Sequence, residues 1–465
     1  MHAYAKSACQ SAKPLSTLFG LWSTNPRFPS PVAGSGGRLK RRYAPGVASS
    51  NEGVNLMYMR TVIAAGTLAV MSSAAHAGCG IGSGSVKLLA NDFPATQAIA
   101  AAATACDGGG ASVSANLNKD HKDLIVPGFT ASPPEFTTAH VTNSTLVALM
   151  NDGLAMPLDD LIAKHGGDIQ NMQKVTIDGK VMAVAFMANA QHLFYRKDVL
   201  DAAGVGVPAT YEDVLAAAKA IKDKGIMEYP LGGTYKAGWN LGEEFVNMYL
   251  GHGGAFFKAG TAEASVNNAK GVATLNMMKA LTAYMNPDYL THDSNAVQAE
   301  WEAGNIAMTN LWGSRAGAVT DGEGSTAEIE GSTMFAAAPT VAGGSIPATT
   351  LWWDGFAIAK NASAADAEAS FLAMVSGTSA DMAAANADAA NWLIAGAKPR
   401  AIGVGVVDSA SGGAAPYPML PWMGTLHGAL GAEIADFLQD NESAEQTLAD
   451  VEAAYTAAAK EKGFL

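Results

Sequence analysis

The stretch DGKVMAVAFMANAQHLFYRKDVLDAAGVGVPATYEDVLAAAKAIKDKG, residues 178–225, decides the fold. Asp178-Gly179 is a turn pair, and two apolar strand-like segments follow it, interrupted by the polar Asn189, Gln191 and His192. After Pro208, Thr210 and Asp213 stand at the spacing of a capping box. Val214, Leu215, Ala218 and Ile221 then share one helical face, and Gly225 ends the helix. Strand, strand and capped helix in one run predict an α/β chain.

Working toward the N-terminus, the alternation continues. SVKLLAND (85–92) reads as a short buried strand, and a helix follows with Pro94 near its first turn. ASVSANL (111–117) and PPEFTTAHVTN (133–143) read as further strands. Ser144 can cap the next helix, which stops at Gly153. In parallel α/β sheets ligands lie beyond the carboxyl ends of the strands, where Asn91, Asp92, Thr142 and Asn143 fall. Toward the C-terminus, Trp239 stands at a helix entrance after a glycine-rich loop. A strand over 306–311 carries Asn310 and leads into Trp312, Gly313, Ser314 and Arg315. TTLWWDGFAIAK (349–360) is a further extended run, and a helix follows it.

At 465 residues the chain is long enough for more than one compact unit, and 49% hydrophobic residues supply a sizeable core. Charge divides unevenly. Residues 1–58 carry seven basic side chains against Glu52, whereas from Gly78 onward 21 basic residues face 41 acidic ones, net −20. An acidic body argues against nucleic acid and anionic membrane surfaces as partners. Between the two regions, MRTVIAAGTLAVMSSAAHA (59–77) has a basic start, a short apolar run and an A-x-A end, the three parts of a cleaved signal peptide. Residues 1–58 are expected to be a mis-called or disordered extension. Arg41-Arg42 lie far from the apolar run, which argues against a twin-arginine signal. In an oxidising compartment Cys79 and Cys106 are expected to pair as a disulfide rather than remain thiols. No H-E-x-x-H, G-x-S-x-G or phosphate-binding Gly-rich Lys motif occurs, so neither a metal nor a cofactor is expected.

The order of segments resembles the periplasmic solute-binding proteins of ATP-driven importers, in the branch of maltose-binding protein and other sugar binders. PLDDLI (157–162), the 178–225 run, WEAGNIAM (301–308) and DGFAIAKNASAADAEASFLAMVSG (354–377) carry the likeness. Arg196 departs from it, standing where the family has asparagine after tyrosine. The segment between the first and third strands is short. The resemblance implies a class II-like two-lobed α/β fold, each lobe a mainly parallel sheet flanked by helices and joined by crossing strands. Lobe 1 would be 78–188 with 336–378, and lobe 2 would be 189–335 with 379–465. It implies a monomer that closes on a small-molecule ligand and docks on a membrane permease in the periplasm.

A sugar needs flat apolar surfaces for its C–H faces and many hydrogen-bonding groups for its hydroxyls. The expected ligand set is therefore Asn91, Asp92, Thr142, Asn143, Asn189, Gln191, Trp239, Asn310, Trp312, Arg315, Trp353 and Asp354. Side chains alternate along an extended chain, so Trp352 and Trp353 should face opposite ways, and Trp353 is read as the cleft-facing one. Trp301 is read as core, and Glu243-Glu244 as a solvated helix face. Two rival readings remain: a quaternary amine or polyamine held by aromatics and an acid, and a secreted glycosidase whose paired carboxylates need not be near in sequence.

Overall fold

The computed structural model describes residues 78–465 except 399. The extension at 1–58 and the signal peptide at 59–77 lie outside the described residues. In chain order the strands are β1 Gly84–Ala90, β2 Ala111–Leu117, β3 Thr138–Thr142, β4 Lys174–Ile177, β5 Lys180–Asn189 and β6 Gln191–Arg196. They continue as β7 Leu231–Gly232, β8 Met308–Trp312, β9 Thr333–Ala336, β10 Thr350–Ile358, β11 Asn391–Trp392 and β12 Ala415–Pro416. One sheet runs β11-β5-β10-β3-β1-β2, with β4 beside β5 and β12 beside β10; the other runs β7-β8-β6-β9. These are the two lobes of an α/β fold. Both sheets are mixed. β1 is parallel to β2 and β3, β7 to β8 and β10 to the short β12, whereas β5 and β6 run antiparallel to all their neighbours and β10 to β3 and β5.

The 178–225 run builds the junction. Asp178 and Gly179, at φ 49° and 76°, make the hairpin turn between β4 and β5. β5 belongs to the first sheet and β6 to the second, and Ala190 alone separates them. The helix Tyr211–Asp223 then begins with the expected reciprocal cap: the Asp213 N–H donates to Thr210 Oγ1 at 3.0 Å and the Thr210 N–H donates to Asp213 Oδ2 at 3.1 Å.

Two parts of the fold differ from the sequence reading. Residues 121–130 form a helix where the sequence suggested none; Pro127 lies inside it and interrupts the pattern by which helices are found. Residues 380–394, read as part of lobe 2, side with the first sheet. β11 pairs with β5, and Met382, Ala390, Trp392 and Ile394 share a core with Leu88, Phe186 and Phe356. The helices Met423–Leu438 and Ala444–Glu461 pack instead with Trp239–Gly251 and Ala269–Thr282 in the second lobe.

Cys79 and Cys106 are joined as a disulfide with Cα atoms 5.2 Å apart. It ties the residues before β1 to the end of the helix Pro94–Thr104. Closing a loop of this length stabilises a fold by about 3 kcal/mol through the unfolded chain. Replacing both cysteines by serine is expected to lower the unfolding free energy by that amount, seen as a lower urea midpoint, and an unchanged midpoint would contradict the assignment.

Candidate ligand-binding cleft

Between the lobes lies a cavity that opens to solvent. The first lobe reaches it with the ends of its strands. Asn91 follows β1, Thr142 ends β3, Asn189 ends β5, and Trp352 and Asp354 lie on β10. The second lobe supplies Trp239 and Asn240 from the start of the helix Trp239–Gly251, Ser294 from the start of Ser294–Glu302, Trp312 from the end of β8, and Ser314 and Arg315 from the turn after it. The cavity thus lies beyond the ends of these strands, where ligands bind in α/β sheets.

Strand β10 fixes the central part. Trp352 and Asp354 are two residues apart and face the cavity, while Trp353 faces away into the first-lobe core, 1% exposed. The assignment of Trp353 to the cleft is therefore corrected to Trp352. A strand period of two does not let Trp353 and Asp354 share a face, so the error was avoidable from sequence. Trp352 stands in a group of indoles: its ring centroid is 5.7 Å from Trp239 and 5.9 Å from Trp312, and it leans on Tyr417 at 4.3 Å. Asp354 Oδ1 accepts from His140 Nε2 at 2.7 Å, and His140 Nδ1 faces the Asn91 N–H at 3.5 Å. That pairing sets the tautomer with the proton on Nε2.

Other expected ligands lie elsewhere. Asn143 is fully buried and its Oδ1 accepts from the Trp353 N–H at 3.0 Å, so it clamps β10 from behind. Gln191 points into the second lobe and donates to Glu244 Oε1 at 2.9 Å. Asn310 is one strand pair deeper than Trp312 and donates to the Tyr211 hydroxyl at 3.1 Å, in a separate small cavity. Asp92 lines an outer groove, accepts from Gln97 at 2.9 Å, and shares only Arg315 and Phe93 with the central cavity. Asn189 does line the cavity, but its amide binds both the Ser314 hydroxyl and the Ser314 N–H at 3.2 Å, locking the turn to the lobe crossing. Trp301 is core, as read.

The sequence reading missed His121 and Lys122. Both open the unrecognised helix at 121–130 and line the cavity. His121 is buried and stacks on His140 with centroids 5.0 Å apart, and neither of its ring nitrogens meets a hydrogen-bond partner among the described residues. Burial and the neighbouring His140 and Lys122 hold it well below the usual histidine range, so the ring is neutral. The Lys122 ammonium lies 3.3 Å from the centre of the Trp239 ring, and burial lowers its pKa to about 8.

Beneath the indoles runs a buried polar seam. The Trp352 Nε1–H donates to Glu243 Oε1 at 3.0 Å, and Thr350 Oγ1 is 2.6 Å from the same oxygen. The Thr350 N–H donates to Asn247 Oδ1 at 2.8 Å, and Asn247 donates on to Gln191 at 3.2 Å. Glu243 and Glu244, expected on a solvated face, are both buried because their helix is covered on every side. Burial raises Glu243 to about 8 and Glu244 to about 7.

A carboxyl raised in the folded state contributes stability that is complete below its ordinary value of 4.5 and lost as pH rises through the folded value. His192 and His427, held at about 4 by burial, act in the opposite sense between 4 and 6.5, and Lys122 acts so only above about 8. Between pH 6.5 and 8 the glutamates therefore dominate. Stability of the ligand-free protein is expected to fall across that window by up to about 1.4 kcal/mol per pH unit for each proton lost, read as a falling melting temperature. Glu243→Gln should flatten the fall. A melting temperature that rises from pH 6.5 to 8 would contradict the assignment.

With this geometry in hand, the likeness to known proteins is informative. The profile of the bacterial extracellular solute-binding protein family matches residues 130–382, more than half of the chain. A probable ABC transporter-binding protein of Deinococcus radiodurans is 28% identical over 223 residues, covering 46% of this chain and 50% of that one. The chain thus spans about half the length of the curated relative it matches. An Agrobacterium radiobacter ABC transporter solute-binding protein in complex with ribitol superposes with a TM-score of 0.71 at 18% identity, over 81% of this chain and 98% of that one. Maltose-bound MalE3 of T. maritima gives 0.69 at 17% identity, over 80% and 99%.

Proposed function

This chain belongs to the bacterial extracellular solute-binding proteins, and from that premise we propose that it captures a sugar or polyol between its lobes and delivers it to the membrane permease of an ATP-driven importer. The observation that carries the reading is the convergence of Trp239, Trp312 and Trp352 with the Asp354–His140 pair on one interlobe cavity. Indole faces suit the C–H surfaces of a carbohydrate, and the carboxylate and amides suit its hydroxyls. Ribitol and maltose in the structural relatives fit the same class. Binding across two lobes favours the closed arrangement, and a permease that distinguishes closed from open reads occupancy. The expected setting is the periplasm, with the protein acting as a monomer. No helix among the described residues is long and apolar enough to cross a membrane.

The rivals fit the cavity less well. Asp354 is the one carboxylate lining it among the described residues, and glycoside hydrolysis uses two. A quaternary amine or polyamine would add positive charge beside Lys122 and Arg315, which already line the cavity.

A thermal-shift panel of sugars, polyols, betaines and polyamines tests the proposal. At least one polyhydroxylated compound is expected to raise the melting temperature, by about 2.7 kcal/mol of stabilisation at a hundredfold excess over Kd. Trp239→Ala should weaken its binding about tenfold, about 1.4 kcal/mol. Shifts confined to betaines or polyamines, or cleavage of an offered glycoside, would contradict it.

A further inference from the structure

We infer that the solute is a sugar acid: a five- or six-carbon polyhydroxylated chain whose single carboxylate is held by Arg315, with Lys122 as the second positive charge. The inference rests on the reading of the cleft as a sugar or polyol site and narrows it.

The charges lining the cavity are Lys122, Arg315 and Asp354. Asp354 is already engaged by His140 at 2.7 Å. Neither cation has a carboxylate within ion-pair distance among the described residues. Lys122 meets the face of Trp239, and Arg315 makes one hydrogen bond, from Nη1 to Gln298 Oε1 at 3.2 Å. Asp293, Asp92 and Glu302 act on Arg315 only from farther away. Arg315 is nonetheless 7% exposed. Its guanidinium has five donors in a fork that matches a carboxylate, and the donors not bonded to Gln298 reach solvent at the cavity and the outer groove, so they are free to take one. This surplus of one positive charge occurs in a chain that is net −20 from Gly78 onward, so it is no reflection of general composition.

Two further observations point the same way. The helices His121–Thr130, Asn143–Asn151 and Trp239–Gly251 all begin at the cavity, presenting their positive ends to it. Ser294–Glu302 also begins there and is capped by Asp293, and Asn143–Asn151 carries a capping box between Thr142 and Thr145. His121, 0% exposed and lining the same space, has both ring nitrogens without a protein partner, which suits a ligand hydroxyl. A surplus of one charge fits a carboxylate, whereas a phosphate ester brings close to two negative charges at neutral pH.

Calorimetry on the purified protein decides the matter, comparing D-gluconate with D-glucitol, D-galacturonate with D-galactose, and glucose 6-phosphate. At least one acid is expected to bind tenfold or more tighter than its neutral counterpart, with an affinity that falls as salt rises. Arg315→Gln should reduce that acid-to-neutral ratio at least fivefold. If that variant does not fold, Lys122→Met serves the same reading. Equal or tighter binding of the neutral partners would overturn the inference and leave the sugar reading intact. So would tighter binding of the phosphate, or a ratio unchanged in the variants. Binding of neither class would overturn both.

Discussion

Everything in the cleft depends on the buried hydrogen bonds that join the start of β10 to the helix Trp239–Gly251. Thr350 and Trp352 approach from a central strand of the first sheet; Glu243 and Asn247 approach from a helix of the second lobe. In a dry interior such groups cannot be left half-satisfied, so they pin the start of β10, where the chain passes back into the first lobe, to that helix. The same contacts hold the Trp352 indole by its N–H edge where it lines the cavity. They also position the helix whose first residue is Trp239.

From that seam the rest of the site is built by simple geometric rules. Strand alternation puts Asp354 on the same side as Trp352, and His140, on the neighbouring β3, orients the carboxylate. The one-residue crossing at Ala190 brings the end of β5 beside the turn after β8, and Asn189 ties the two together through Ser314. Polar groups that look available from the sequence are thereby divided between two tasks. Some hold the walls in place; others are left facing the space between them.

That division explains what the sequence could and could not tell. The hairpin at Asp178-Gly179, the crossing strands and the capped helix at Tyr211–Asp223 were legible because each rests on local chemistry. The cavity's general position followed from the strand ends. Asn143 and Gln191 were misplaced because a buried amide serves the backbone or a neighbouring carboxyl as readily as a ligand. Glu243-Glu244 misled because adjacent acids usually mark a wet face, and only tertiary packing shows their helix to be enclosed. His121 and Lys122 were missed with the helix that carries them, whose Pro127 breaks the expected pattern. The choice between Trp352 and Trp353 needed no structure at all, since a strand that turns Asp354 to the cleft must turn Trp352 there too.

The central claim is that a solute is trapped between two lobes that move on the crossing strands. Small-angle scattering of the protein with and without a saturating ligand tests it most directly. The account predicts a smaller radius of gyration in the bound state, reversed when the ligand is removed. Identical scattering curves, for a compound shown by calorimetry to bind, would contradict it.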